Sequence, residues 1–245
     1  MKVTFGLNPE KYSGKERDWQ DWQKKFIDFN PSEETWFHRL KAGLIPYTNP
    51  QGEKILSAKT CPSFVSSFKN RILVRNIADL EISNVNDTVK ITSSHPYGEE
   101  LHVNYHHQYQ LGKDFPFDKN VFKNPVKFIS PFWMYFSEKA EVILSPVWYD
   151  KSTQFVQALP GIIRLEKNEP VELNINTFVK QPEKNTTYTI EKGTPICQVF
   201  IVDIKKPKVY FTNNIDKKIV AKRMSSLFEN MATLKSINIG KFITR

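Results

Sequence analysis

The sequence predicts a mainly β fold: an antiparallel β-sandwich, jelly roll or β-clip-like core with helices at both ends. Three observations predict it. Short runs rich in Val, Ile, Phe and Tyr recur roughly every ten residues between positions 61 and 208. Proline stands at the ends of these runs, as at Pro96, Pro125, Pro146, Pro160 and Pro195, where it stops a strand without breaking a ladder. Helical periodicity is confined to the two flanks.

The chain divides into a helical N-terminal segment (1–60), a β-rich core domain (61–208) and a basic C-terminal amphipathic helix with a tail (209–245). In the first segment, Trp19, Trp22, Phe26 and Phe29 lie three and four apart, one face of a helix over 16–29. Asn30 and Pro31 end it, and Ser32 caps a short second helix carrying Trp36, Phe37 and Leu40. This aromatic face reads as packing surface. Residues 46–52 read as a loop.

Strands are expected at 72–74, 80–82, 89–91 and 101–111, then at 127–129, 141–144, 161–165, 171–175 and 196–204. Beyond them, Ile219, Val220, Met224, Leu227, Phe228, Met231 and Leu234 keep a three-four rhythm. Residues 216–245 hold seven Lys or Arg against Asp216 and Glu229. That helix is expected to dock on a neighbouring chain, with Ile219, Leu227, Phe228 and Met231 as its apolar contacts and Lys217, Lys218 and Arg223 steering it to an acidic partner. Folding back on its own domain and DNA binding are the competing roles for the same helix.

Composition narrows the classes. At 245 residues, with 40% hydrophobic and 25% charged, the chain can bury a real core and is not a disordered polypeptide. No apolar run approaches the ~18 residues of a membrane-spanning helix, and the first residues lack the apolar stretch of a secretory signal. Two cysteines, Cys61 and Cys197, make no disulfide framework, so a reducing compartment is expected. The formal charge of +9 favours nucleic acid, an anionic surface or an acidic protein as partner, although a generally lysine-rich composition produces the same figure.

No self-evident catalytic machinery appears. There is no GxxxxGK[ST] or GxGxxG phosphate loop and no GxSxG nucleophile elbow. The cluster His102, His106 and His107 suggests a metal, but Leu101, Val103, Tyr105, Tyr109 and Leu111 alternate with polar residues at strand period. On a strand, His102 and His106 stand roughly 13 Å apart, too far to share an ion. The expectation is a solvated strand face and no metal, unless another strand supplies a ligand. Cys61, with His38 as its base, is a weak nucleophile candidate and is expected to be a buried structural cysteine; Cys197 is expected in the core. No cofactor is expected.

Two resemblances add to this reading. Thr60-Cys61-Pro62-Ser63-Phe64, Phe68-Lys69-Asn70, Asp79-Leu80-Glu81-Ile82, Pro160-Gly161-Ile162-Ile163 and the stretch 192–199 resemble an uncharacterised tailed-phage-associated protein family, over most of residues 35–205. Residues 188–200, with the core KGTPICQVF, are similar to the closing strand of the dUTPase and dCTP deaminase β-clip. That second resemblance implies a water-orienting acid after Gly161-Ile162-Ile163, where this chain has Arg164.

The expected function is a non-enzymatic phage virion structural or assembly protein that docks on neighbouring subunits, as a homo-oligomer or with other virion proteins, in the virion or host cytoplasm, without membrane contact. The alternatives are a β-clip-type nucleotide-binding protein lacking the catalytic acid and a nucleic-acid-binding accessory protein. Arg164 stays protonated at neutral pH and cannot act as a general base. The chain is therefore expected to leave dUTP and dCTP intact; steady-state turnover that disappears in Arg164→Ala would contradict this.

Overall fold

The computed structural model describes residues 1–8, 26–28, 37, 40–69, 71–112, 114–148, 150–202, 208–212 and 221. The fold is mainly β, built from several antiparallel sheets. Strands buried on one face alternate as their sequences do. In β6 (Leu80–Val85), Leu80, Ile82 and Asn84 point inward while Glu81 and Val85 are exposed. The central strands carry continuous apolar runs because both of their faces are covered. Thus β1 (Lys2–Leu7), β5 (Arg71–Arg75) and β10 (Phe132–Phe136) are buried almost throughout.

Strand β10 pairs antiparallel with β1, Val3 opposite Phe136 and Leu7 opposite Phe132. On its other side lies β14 (Val171–Glu172). The other edge of β1 takes β18 (Lys208–Thr212) in parallel, Lys2 opposite Lys208. A five-stranded antiparallel sheet runs β13 (Gly161–Leu165), β11 (Ala140–Ser145), β17 (Pro195–Ile201), β5 and β2 (Ile27–Asp28). A third sheet orders β12 (Val156–Ala158), β15 (Ile175–Val179), β9 (Val126–Phe128) and β8 (Val103–Tyr105). The fourth sets β6 between β16 (Thr187–Ile190) and β7 (Thr88–Ser93). Among the described residues, strands β3 (Leu44–Thr48) and β4 (Lys54–Leu56) pair only with each other.

One hydrophobic core joins the four larger sheets: Val3 and Phe5 from the first, Val142 and Val199 from the second, Ile175 and Val126 from the third, Leu80 and Ile82 from the fourth. Local turn chemistry agrees with this register. Asn86 and Asp87 close the β6–β7 hairpin with φ of 52° and 64°, a left-handed conformation these residues tolerate. Gly193, at φ 86°, makes the turn that enters β17.

Several expectations need correction. Residues 101–111 are not one strand. Only Val103–Tyr105 is extended, between 3-10 turns at Glu99–Leu101 and Gln108–Leu111. Tertiary pairing of β8 with β9 overrides the longer alternation. Ile27–Asp28 is a strand on β5, so the expected helix over 16–29 does not extend through Ile27. Cys61 is exposed rather than buried, and the residues after it form the helix α1 (Pro62–Lys69), an element not anticipated in the β-rich region. The termini contribute strands to the β core: β1 lies before residue 60 and β18 after 208. Cys197 is fully buried, as expected, and burial pushes its thiol pKa up to about 12.

Phe5 is fully buried and faces Phe211 of β18 at 5.8 Å between ring centroids. Replacing Phe5 with Ala should lower unfolding stability by about 3–5 kcal/mol in urea titration, whereas Lys90→Ala on exposed β7 should change it by no more than about 0.5 kcal/mol.

Candidate functional site

His102 and Asn76, neither with any solvent exposure, form the centre of a polar network in the core. His102 sits at the junction of the 3-10 turn and β8. The Nδ2 of Asn76 donates to the carbonyls of Ile190 (2.8 Å) and Glu191 (3.3 Å), which turns its Oδ1 toward the imidazole. His102 Nε2 lies 2.6 Å from that oxygen and therefore carries the ring proton. The other nitrogen, Nδ1, accepts from the Ser93 hydroxyl, whose oxygen in turn accepts from the His95 backbone N–H at 3.1 Å. The His102 carbonyl accepts from Ile129 N–H at 2.8 Å.

The order Ser93–His102–Asn76 superficially matches a nucleophile, base and orienting group. Its electrostatics do not suit that work. Desolvation, reinforced by His95, lowers the His102 pKa to about 3, so the ring does not take a proton near neutral pH. The third member is a neutral amide, which cannot stabilise an imidazolium as a carboxylate does. The adjoining space, lined by Phe26, Ile77, Phe128 and Leu173 among others, holds about 10 Å³, at most a single water. This arrangement fixes structure.

Two apolar features stand out on the surface of the described residues. The first is the β3–β4 hairpin. Its tip is closed by Asn49, whose Oδ1 accepts from Gln51 N–H and Glu53 N–H at 3.0 and 2.9 Å. Its root is tied by Ser57 N–H to Gly43 carbonyl at 2.8 Å. Between tip and root, Leu44 is 57% exposed, Tyr47 69% and Leu56 61%. Leu44 and Leu56 stand opposite each other in the register. The second is a row across the five-stranded sheet: Ile162 opposite Ile143, and Ile143 opposite Phe200. Trp148 stacks on Phe200 at 5.2 Å, and Ile162 is 61% exposed. Arg164 and Glu141, paired at 2.9 Å, bound the row.

The residues singled out for docking, Ile219, Leu227, Phe228, Met231, Lys217, Lys218 and Arg223, lie outside the described residues. So do Trp19, Trp22, Phe29 and Trp36; Phe26 and Phe37 are described and buried. The solvated histidine face is corrected: His102 is buried, while His106 bonds Gln110 Oε1 (2.9 Å) and Asn176 Oδ1 (3.1 Å) near the surface. The Cys61 thiol is drawn below its ordinary pKa by the backbone N–H groups of Phe64 and Ser63. Among the described residues, no three His, Cys, Asp or Glu side chains gather as a metal site, and no helix is long and apolar enough to cross a membrane. Sequence reading missed the hairpin; its signal was Leu44, Tyr47 and Leu56 flanking the Asn49–Gly52 turn.

No family model, curated protein or solved structure matches the chain. The two resemblances rest on their short motifs alone.

The histidine hub has a measurable consequence. The folded pKa of about 3 lies below the ordinary 6.5, so the unfolded chain takes up a proton that the folded chain refuses. The hub's stabilisation is complete above pH 6.5 and is lost as pH falls from there toward 3, with a slope of at most about 1.4 kcal/mol per pH unit. In His102→Gln, unfolding stability should be lower at pH 7 and fall less steeply on acidification. An unchanged slope would show that His102 does not titrate this way.

Proposed function

We propose that the chain is a non-enzymatic structural and assembly protein that docks on neighbouring copies of itself through the β3–β4 arm. The observation that carries this reading is the arm. A two-stranded hairpin is marginal alone, and one that exposes Leu44, Tyr47 and Leu56 gains from being covered. The receiving surface in this reading is the Ile162–Ile143–Phe200–Trp148 row of the next copy, the other exposed apolar feature described above. A protruding apolar element and a flat one on the same chain form a heterologous pair, which propagates into a ring or filament. Burying each large side chain contributes about 1.5–3 kcal/mol, and each copy makes the contact twice.

The tailed-phage resemblance makes the virion, or the host cytoplasm during assembly, the proposed setting. Other virion proteins are the further proposed partners. Nucleotide binding has weaker support, since Arg164 is already paired with Glu141.

Light scattering on the full chain tests the arm. The protein should form a species larger than a monomer at micromolar concentration, and the triple change Leu44→Ser, Tyr47→Ser, Leu56→Ser should return it to monomer with its melting temperature little changed. A wild-type monomer, or a triple variant that assembles equally, would overturn the docking reading. The setting is tested separately by searching for the chain, by mass spectrometry, in purified virions of any phage found to encode it.

A further inference from the structure

The outer face of the β12–β15–β9–β8 sheet differs from every other exposed surface described above. Its inner residues are apolar and buried, apart from Thr177 and the exposed Tyr105 at the end of β8, but Gln157, Asn176, Lys127 and Asn104 face outward. Phe178 joins them and is packed by Phe115 and Phe117 at 5.6 and 5.8 Å between ring centroids. Two clefts of about 440 and 470 Å³ open here, both lined by Asp118. Those volumes fall within the range of ligand pockets.

The larger cleft is preformed. Its walls are tied by Gln181 N–H to the Asn120 carbonyl and Lys180 N–H to the Phe155 carbonyl, each 2.8 Å, and by Phe122 N–H to the Val179 carbonyl at 2.9 Å. Phe155 leans on Tyr188 at 5.2 Å, and the Tyr188 hydroxyl donates to the Lys180 carbonyl. Thr153 accepts from Gln157 Nε2 at 3.2 Å, which aims that amide. By contrast, the side-chain amides of Asn120, Gln154 and Gln181 make no hydrogen bond among the described residues, although all three line the cleft. Exposed amides therefore line a backbone frame fixed by hydrogen bonds.

Chemistry selects the ligand class. In the larger cleft Asp118 and Glu183 outnumber Lys180, so phosphate and other anions are disfavoured there; Lys119 and Lys123 line only the second cleft. The lining is too polar for a lipid chain. Each amide offers both donor and acceptor, matching a hydroxyl that is both, and the exposed part of the Phe155 ring can cover the C–H face of a saturated ring. We propose that this larger cleft binds a neutral oligosaccharide. The proposal is independent of the assembly reading.

The test is a binding screen of the full chain against maltohexaose, cellohexaose, chitohexaose and an array of uncharged bacterial oligosaccharides, with hits measured by calorimetry. At least one should bind. Its affinity should fall by about tenfold or more in Gln154→Ala/Gln181→Ala, two exposed positions whose loss leaves the melting temperature unchanged. It should also hold steady between about 50 and about 500 mM salt, as an uncharged ligand requires. Binding of no neutral oligosaccharide, undiminished binding by the double variant, or salt-sensitive binding of anionic glycans alone would each overturn the proposal.

Discussion

A neutral imidazole holds the ends of three sheets together. Ser93 closes β7, Asn76 follows β5, and His102 precedes β8, so their hydrogen bonds connect the three sheets. Asn76 extends the link to the turn between β16 and β17, accepting from Gly193 N–H and donating its own N–H to the Thr194 carbonyl. Buried polar groups are costly unless satisfied. Here both ring nitrogens, the amide and the turn carbonyls are satisfied together, so each partner specifies the others. The same burial that makes the network specific disfavours the protonated ring and holds its pKa at about 3, so His102 is a weak proton acceptor.

The fold class was legible because its signal is local and repeated. Valine, isoleucine and aromatic runs bounded by proline announce strands wherever one face is buried, and β6, β11, β13 and β17 lie where that pattern placed them. The both-faces-buried β10 was harder, since Phe132–Phe136 has no alternation to read. The terminal strand β1 depends on a partner more than 120 residues away, and no local pattern encodes that pairing. The histidine hub was illegible for the same reason. His102 follows a 3-10 turn and meets groups nine and twenty-six residues distant, so its neighbours in sequence carried the wrong implication. The apolar arm was legible in composition but passed as a loop, because polar Asn49 and Gly52 dominated the segment.

The arm gains importance from what the sheets do not offer. Most edge strands among the described residues are short or charged: β14 has two residues, β8 and β12 three each. Six-residue β7 presents exposed Lys90, and β13 follows Pro160 and carries the Arg164–Glu141 ion pair on its face. Such edges resist strand addition by a second chain. Main-chain pairing would therefore be a poor route to the proposed assembly, which would run through side chains instead. Only the arm and the Ile162–Phe200 row, among the surfaces described above, combine apolar character with an accessible shape, while the amide-lined face stays polar and wet. That division leaves the polar face open when the apolar surfaces are covered, so docking and ligand binding would not compete for the same surface.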